Sequence, residues 1–420
     1  MKKTAFILLV LAALQLAFLS LKASEVTAAK TFTVSSKSAD AMDIRFNIPS
    51  YEIEKETIGG EIWDKINLVE SGFLMETGLP ELPVLSTAIA IPNHGQVSLE
   101  VINTRTKMIE HIMPYPSQTS SMEDNPKNLN INRSFYDGSG IYPQEIVQCS
   151  EPQILRDFRI VTIQMQPFAW NASTKELEVR EEVNFRLHFT NEPGINELEG
   201  PQIVSSAFEH IYESVILNFD DYRNYIVPNA PPRYLIIYGN SSDNSYLTKV
   251  NDFAFWKKQK GADLRLVSTA VTGTTTTAIK NYIQSLYNDI NSRPDYIVLI
   301  GDVSGSFPIP SFTESWSGLN GHGDYPYTHL AGNDYLGDVF IGRISVENTS
   351  QLDVVLSKTY FYEKNINVAT AQWVQKMLLV GDTNPSGAGL YYTMKNIRDL
   401  ALMVNPDYTF TELYGDPSAS

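Results

Sequence analysis

Hydrophobic and polar residues alternate along the chain in two distinct ways, which divide it into two parts. In the first part, short stretches of alternating apolar and polar residues, such as 97–102 and 159–165, are separated by Pro, Gly and Asn. This pattern is typical of β-strands joined by turns. Residues 166–180 hold two such stretches around an Asn-Ala-Ser-Thr bend, which predicts a hairpin. No helix of ordinary length is indicated before about residue 205, so we predict an all-β sandwich or barrel-like domain over residues 30–225.

In the second part, apolar runs of about five residues alternate with stretches of helical period. The predicted strands are 234–238, 264–267, 296–300, 339–343 and 376–380, and the predicted helices are 246–260, 277–290, 351–366 and 390–403. Alternating strands and helices indicate a mainly parallel sheet with helices on both faces. We predict an α/β domain over residues 234–420 that is incomplete at its C-terminus, because no helix follows its last strand pattern. The Pro-rich stretch Val227-Pro-Asn-Ala-Pro-Pro-Arg233 predicts a linker over 226–233.

Composition and charge limit the possible partners and the compartment. At 420 residues two domains are expected, and the formal net charge of −16 argues against nucleic acid or an anionic membrane as a partner. Lys2 and Lys3 precede an apolar run that ends near Ala23, which predicts a signal peptide over residues 1–24 and a secreted or cell-surface protein. A membrane anchor is the alternative for this run, and no later stretch is long and apolar enough to cross a bilayer.

The single cysteine, Cys149, excludes a disulfide framework. Its thiol could be a nucleophile or a small buried apolar group. No histidine lies near it in the sequence, and its neighbours indicate a strand that ends at a turn. The pattern favours the buried group.

Three aspartates are candidates for a metal site. Asp302 ends the apolar run Tyr296-Ile-Val-Leu-Ile-Gly-Asp302, where open α/β sheets place their ligands. Asp334 and Asp338 lie around a turn just before the strand predicted at 339–343. We expect the three carboxylates to lie near one sheet edge and to form a hard-cation site. The alternative is a solvated acidic turn with capped strand ends.

Four segments stand out in order along the chain: Gly78-Leu-Pro-Glu-Leu-Pro83, Phe255-Trp-Lys-Lys-Gln-Lys-Gly261, the Ile-Gly-Asp block and Ala331-Gly-Asn-Asp-Tyr-Leu-Gly-Asp-Val-Phe-Ile-Gly-Arg343. Together they resemble the gingipain family of cysteine peptidases. The resemblance implies a β-rich propeptide followed by the first part of a catalytic domain with a caspase-like α/β fold. It also implies a structural calcium ion, held by the carboxylates of Asp302, Asp334 and Asp338 and by the carbonyl oxygens of Ala331 and Leu336.

The catalytic residues that the resemblance implies are not found at the matching positions. The family uses a Cys-His dyad, in which an activated thiolate attacks the peptide carbonyl. After residue 382 this sequence has neither a Gly-His-Gly segment nor a cysteine. His322, in Gly321-His-Gly-Asp324, has the right neighbours but lies upstream of the expected place, and a loop histidine is the alternative. The stretch after Gly381-Asp382 carries no acid, so a preference for Arg or Lys substrates is not implied.

These observations leave three hypotheses of function. The first is a secreted, calcium-stabilised cysteine endopeptidase precursor that acts on proteins or peptides. We expect this chain, as a part of that precursor, to be inactive by itself. Its propeptide would act as an intramolecular inhibitor that covers the cleft until cleavage near the linker, at Arg223 or Arg233. The second is a catalytically inactive peptidase-like surface or binding module. The third is a stand-alone inhibitor of a related peptidase.

Overall fold

A computed structural model describes residues 30–118, 129–201, 203–228, 230–316, 319–364, 367, 371–381 and 388–414. The predicted signal peptide lies outside these residues. We refer to residues 30–226 as the β domain and to residues 233–414 as the α/β domain. Among the described residues, none of the helices combines the length and the hydropathy needed to cross a membrane.

The β domain contains two antiparallel sheets and an additional hairpin. Its strands are β1 Phe32–Lys37, β2 Ala41–Asn47, β3 Tyr51–Ile58, β4 Glu61–Leu68, β5 Gly72–Phe73, β6 Pro83–Ala90, β7 Val97–Ile109, β8 Ile141–Tyr142, β9 Val147–Cys149, β10 Gln153–Leu155, β11 Phe158–Met165, β12 Phe168–Asn171 and β13 Glu176–Phe189. One sheet has the order β1-β2-β13-β12-β8, with β7 also paired to β13. The other has the order β10-β11-β6-β5, with β9 also paired to β11. Helices α1 Arg133–Tyr136 and α2 Glu209–Val215 are short.

Both sheets of the β domain contribute to one apolar core. Phe46 and Phe185 come from the first sheet and Val161 and Ile163 from the second, and all four side chains are fully buried. The predicted hairpin is β12–β13, in which Trp170 pairs with Leu177. The prediction of an all-β N-terminal domain is therefore confirmed.

The α/β domain has the alternating order that the sequence predicts. Its strands are β14 Arg233–Tyr238, β15 Asp263–Ser268, β16 Tyr296–Ile300, β17 Phe312–Trp316, β18 Leu319–Gly323, β19 Phe340–Ile344, β20 Lys376–Val380 and β21 Thr409–Leu413. Its helices are α3 Asn244–Gln259, α4 Thr269–Thr272, α5 Thr276–Tyr287, α6 Thr349–Lys364 and α7 Ala388–Val404. Short 3-10 helices occupy Phe219–Tyr225, Tyr325–Thr328 and Gln372–Gln375.

The main sheet of this domain is parallel, with the order β15-β14-β16-β19. Helix α5 packs on one face, where Ile279 and Ile283 meet Leu299. Helices α3 and α6 pack on the other, where Val250 and Leu356 meet Ile236. The prediction of a mainly parallel α/β domain is confirmed. The sequence did not predict the hairpin β17–β18, and β20 pairs in parallel with β21 in a separate two-stranded sheet.

Candidate functional site and the domain interface

Two glycines shape the carboxyl edge of the main sheet, where β14, β16 and β19 end. A Cβ atom on Gly239 would lie 2.3 Å from the carbonyl oxygen of Phe307, and one on Gly301 would lie 2.1 Å from it. Gly301 also has a φ of +146°, which other residues rarely adopt. The Phe307 ring stacks on Tyr246 with the ring centroids 3.6 Å apart. The glycine of the Ile-Gly-Asp motif is therefore required for the chain to cross the end of the sheet.

A polar cavity of about 460 Å³ opens at this edge. It is lined by Ser241, Ser242, Asp243, Ser306, Phe307, Asn348, Thr349 and Ser350. The side chain of Asp243 caps α3 by accepting the Ser245 N–H, and it also accepts a hydrogen bond of 2.6 Å from the Thr349 hydroxyl. Hydroxyl and amide groups that face a cleft can hydrogen-bond a polar ligand such as a peptide backbone.

Asp302 lies at this carboxyl edge, as its place after β16 predicts. Its Oδ1 accepts a hydrogen bond of 2.7 Å from the Val303 N–H. Its backbone N–H donates to Val346, just beyond the end of β19.

The structure corrects the predicted position of Asp334 and Asp338 relative to Asp302. They precede β19, whereas Asp302 follows β16, and these two strands run parallel with Tyr296 opposite Phe340. The five paired residues of these strands, which span about 13 Å, lie between the two sets of carboxylates. The three carboxylates therefore do not share one edge, because a residue before one parallel strand and a residue after its neighbour lie at opposite ends of the sheet.

Asp334 and Asp338 accept several backbone N–H groups, including two from the β domain. Asp334 accepts from Ile154 at 2.8 Å and from Leu336 at 2.9 Å. Burial raises the pKa of Asp334 above its ordinary value.

Asp338 is more deeply buried and accepts three backbone N–H groups. Those of Leu330 and Ala331 each lie 2.7 Å from Oδ2, and that of Arg156 lies 3.2 Å from Oδ1. Burial raises the pKa of Asp338 to about 7, and the nearby charge of Asp334 acts in the same direction, against the effect of the backbone N–H groups.

The donor chemistry of this loop fits a hard cation. An ionised carboxylate has about four positions for hydrogen bonds or ligands. The hydrogen bonds described above use two of these positions on Asp334 and three on Asp338. The remaining positions, together with the carbonyl oxygens of Ala331 and Leu336, are the oxygen ligands that Ca²⁺ prefers. The predicted calcium site stays a prediction, and the position of Asp302 at the other end of the sheet limits its candidate ligands to Ala331, Asp334, Leu336 and Asp338.

A deeply buried charge between the two domains belongs to Arg156, in the turn between β10 and β11. Its side chain is almost completely buried, and Nη2 donates a hydrogen bond of 2.7 Å to Asp295 Oδ1. Burial acts to lower the pKa of Arg156, but the neighbouring carboxylates, including Asp157 and Asp295, outweigh it and raise that pKa. Arg156 is therefore charged.

Sequence reasoning missed this interface. Leu155-Arg-Asp-Phe158 is the loop of the hairpin β10–β11, and its one visible signal is a pair of adjacent opposite charges between apolar strands. The residues that accept hydrogen bonds from the Arg156 side chain lie more than 130 positions further along the chain. The described contacts of the β domain lie at the amino edge of the sheet, not over the carboxyl edge that we expected the propeptide to cover.

Family models cover both parts of the chain. Residues 27–226 match the model described as Propeptide_C25, and residues 227–420 match the model of peptidase family C25. The chain belongs to peptidase family C25. The junction between the two matches falls between residues 226 and 227, where the β domain ends.

The curated relatives of this C25 chain are gingipains of Porphyromonas gingivalis. Gingipain R1 is 27% identical over 311 residues, which cover 73% of this chain and 30% of the relative. Gingipain R2 is 27% identical over 312 residues, which cover 73% of this chain and 41% of the relative. Lys-gingipain is 24% identical over 414 residues, which cover 92% of this chain and 23% of the relative. The chain thus spans less than half the length of these relatives.

Solved structures with partial similarity also come from this family. A complex of the P. gingivalis RgpB pro- and mature domains aligns at 24% identity with a TM-score of 0.41, over 46% of this chain and 100% of the matched chain. The arginine-specific gingipain R aligns at 24% identity with a TM-score of 0.36, over 44% of this chain and 41% of the other.

His322 of the C25 chain lies on the exposed hairpin β17–β18, opposite Thr313. Two residues later, Asp324 is held by Arg343 of β19, whose Nε and Nη2 each donate a hydrogen bond of 2.7 Å to it. Arg343 Nη1 also donates to the carbonyl oxygens of Gly301 and Ile309. The Gly-His-Gly-Asp segment thus contributes, through Asp324, to the structure of the sheet edge.

Cys149 lies in β9 of the C25 propeptide, paired with Ile163. Burial raises the pKa of its thiol to about 11. Because the thiolate is the nucleophilic form, this environment disfavours reaction near neutral pH.

Proposed function

We propose that this chain is the propeptide and the first part of the catalytic domain of a secreted, calcium-stabilised cysteine endopeptidase precursor. The observation that carries the proposal is the buried ion pair of Arg156 and Asp295, which ties a propeptide of family C25 to the peptidase domain that follows it. A buried ion pair between a propeptide and its enzyme holds the propeptide in place before processing, because separation would leave the Asp295 carboxylate without its cationic partner.

In this proposal the Cys-His dyad is supplied by sequence that follows the matched segment. The residues of this chain contribute the framework of the cleft. Gly301 allows the chain to cross the sheet edge, Arg343 holds the loop of Asp324 against it, and hydroxyl groups such as that of Thr349 line the cavity. Calcium, when bound by Ala331, Asp334, Leu336 and Asp338, would neutralise the two buried carboxylates.

The surroundings of the two candidate processing residues support one of them over the other. Arg233 begins β14, which pairs on both sides with β15 and β16, and its N–H donates to Asp295. Cleavage after Arg233 would require this central strand to open. Arg223 lies in a surface 3-10 helix and pairs with Glu213 and Asp220. We therefore favour Arg223, or the segment that follows it up to residue 232.

The proposal is tested by comparing this chain with a chain that continues past residue 420. The longer chain should hydrolyse peptides in a thiol-dependent way after processing, and iodoacetamide should abolish the activity. The 420-residue chain should show no such activity, with or without Cys149→Ala. Thiol-dependent hydrolysis by the 420-residue chain that Cys149→Ala abolishes would contradict the proposed position of the dyad.

The alternative function is a catalytically inactive binding module. The unreactive environment of Cys149, the single cysteine of this sequence, favours it. Reading the gene beyond codon 420 separates the two functions. A Gly-His-Gly segment followed by a cysteine after a strand supports the peptidase, whereas a stop codon or the absence of that cysteine supports the module.

A further inference from the structure

The turn that carries Arg156 has an unusual backbone. Leu155 pairs with Phe158, so Arg156 and Asp157 form a two-residue hairpin loop. Arg156 has a φ of +50°, in the left-handed region that Gly and Asn usually occupy in such loops. A residue with a Cβ atom is sterically disfavoured in this conformation. The contacts of the Arg156 side chain must offset this cost.

Those contacts are made mainly by the α/β domain. Nη1 donates hydrogen bonds of 2.9 Å to the Pro294 carbonyl oxygen and 2.6 Å to the Asp338 carbonyl oxygen. Nη2 donates to Asp295 Oδ1 at 2.7 Å. The guanidinium carbon lies 6.0 Å from the centroid of the Tyr287 ring. These four residues of the α/β domain form a pocket with one carboxylate, two carbonyl oxygens and an aromatic wall, which is the chemistry that binds a guanidinium group.

Parts of the pocket are fixed by contacts within the α/β domain. Asp295 Oδ2 accepts the Arg233 N–H at 2.8 Å, which sets the orientation of the carboxylate. The Asp295 carbonyl oxygen accepts the Phe340 N–H, which ties the start of β16 to the start of β19. Both contacts lie at the amino edge of the sheet. The pocket therefore belongs to the α/β domain and lies at the end opposite Asp302.

The β domain adds apolar contacts around the buried charge. Phe208 stacks on Phe340 with ring centroids 4.2 Å apart, and it also lies 4.7 Å from the Arg156 guanidinium carbon. The backbone N–H groups of Ile154 and Arg156 donate to Asp334 and Asp338, which fixes the direction of the turn. The α/β domain thus contacts both the backbone and the side chain of the tight turn that carries Arg156.

We propose that the catalytic domain carries a guanidinium-binding pocket at the amino edge of its sheet, and that the propeptide is held on the catalytic domain through Arg156 in that pocket. The ligand is a guanidinium group presented on a tight hairpin turn. A lysine would keep the charge but could not donate to Asp295 and to two carbonyl oxygens from one planar group. The proposal rests on the proposed precursor function only in taking residues 27–226 as a propeptide.

The test uses the whole chain after the predicted signal peptide, with a recognition sequence for a site-specific protease placed within residues 227–232. After cleavage, size-exclusion chromatography over a dilution series of the cleaved protein measures the association of its two parts. The unaltered pair should stay together. Arg156→Lys and Arg156→Ala should each raise the dissociation constant about 100-fold or more.

Arg159→Lys is the matched control. Arg159 is equally buried and lies three residues away, but its guanidinium donates to the carbonyl oxygens of Pro92, Gly95 and Ile195, all within the β domain. This variant should lower the stability of the β domain and leave the association unchanged. Thermal unfolding of each uncleaved variant shows whether it folds.

Asp295→Asn tests the pocket from the other side and remains informative if the Arg156 variants do not fold. It should weaken the association about 10-fold, because a charge-assisted hydrogen bond becomes a neutral one. Millimolar guanidinium chloride should restore part of the association of the Arg156→Ala pair, whereas sodium chloride of equal ionic strength should not. An unchanged dissociation constant for folded Arg156→Lys, or for Asp295→Asn, would overturn the proposal. None of these readouts depends on peptidase activity, so they are separate from the test of the proposed function.

Discussion

Arg343 and Asp324 form a two-point ion pair in which Nε and Nη2 of the arginine each lie 2.7 Å from a different carboxylate oxygen. The pair is largely buried and joins β19 to the segment after the hairpin β17–β18. The same guanidinium donates to the carbonyl oxygens of Gly301, just after β16, and of Ile309, in the segment before β17, so one side chain connects several parts of the carboxyl edge.

We expect Arg343→Lys to lower the free energy of unfolding by about 1–3 kcal/mol, because lysine cannot replace the two parallel hydrogen bonds and the two carbonyl contacts. Urea unfolding followed by tryptophan fluorescence measures the change. Arg105→Lys is the control, since Arg105 pairs with Glu181 at the surface and should change the unfolding free energy by less than about 0.5 kcal/mol. Equal effects of the two variants would show that the Asp324 pair has no special structural role.

Gly301→Ala should lower the free energy of unfolding by more than about 3 kcal/mol. The added Cβ atom would lie 2.1 Å from the Phe307 carbonyl oxygen, and the φ of +146° disfavours alanine. Thermal and urea unfolding measure the loss. The control is Gly342→Ala in β19, where nothing lies within 4 Å of the added atom. Gly342→Ala should have a small effect, and a comparable loss at both glycines would contradict the steric argument.

Removal of calcium should lower the melting temperature. A ligand present at about 100 times its dissociation constant contributes about 2.7 kcal/mol, so excess EGTA should lower the midpoint by about 5 °C. Asp334→Asn should reduce this response. Asp302→Asn should leave it intact, because Asp302 lies at the opposite edge of the sheet. A melting temperature that does not change with EGTA would remove the predicted calcium site.

The free energy of unfolding should fall at acidic pH, partly because the Glu363 carboxylate becomes protonated. This carboxylate links α6 to the end of α3. Burial acts to raise its pKa, but hydrogen bonds from Lys257, Trp256 and Lys260 outweigh it and lower the pKa of Glu363 to about 2. A carboxyl group with a lowered folded-state pKa stabilises the fold above its unfolded pKa, near 4.5, and loses that contribution as the pH falls toward 2. After allowance for solvent screening, the contribution is about 1–2 kcal/mol.

Glu363→Gln should therefore be less stable than the unaltered chain at pH 7, and the difference should shrink between pH 4.5 and pH 2. Urea midpoints measured at several pH values test this. Glu176→Gln is the control. A constant difference over this range would show that the ionisation of Glu363 does not contribute.

The architecture follows largely from local sequence pattern. Alternation of apolar and polar residues predicts strands such as β11, and the apolar run 296–300 predicts β16. The end of α3 near Gly261 is predicted because glycine readily adopts the positive φ found there. These features depend on neighbours close in sequence, which is why the sequence alone reveals them.

The sequence by itself determined the two-domain order, the parallel sheet and the carboxylates of Asp302, Asp334 and Asp338 as chemically notable groups. Tertiary structure decided which of them lie together, because the direction of β16 and β19 places Asp302 at one end of the sheet and the other two at the opposite end. It also decided the role of Arg156, whose partner Asp295 lies 139 positions further along the chain. Hydrophobic periodicity reports which face of an element is buried, but a pairing between distant polar groups depends on strand order and domain docking, for which a single sequence carries no local signal.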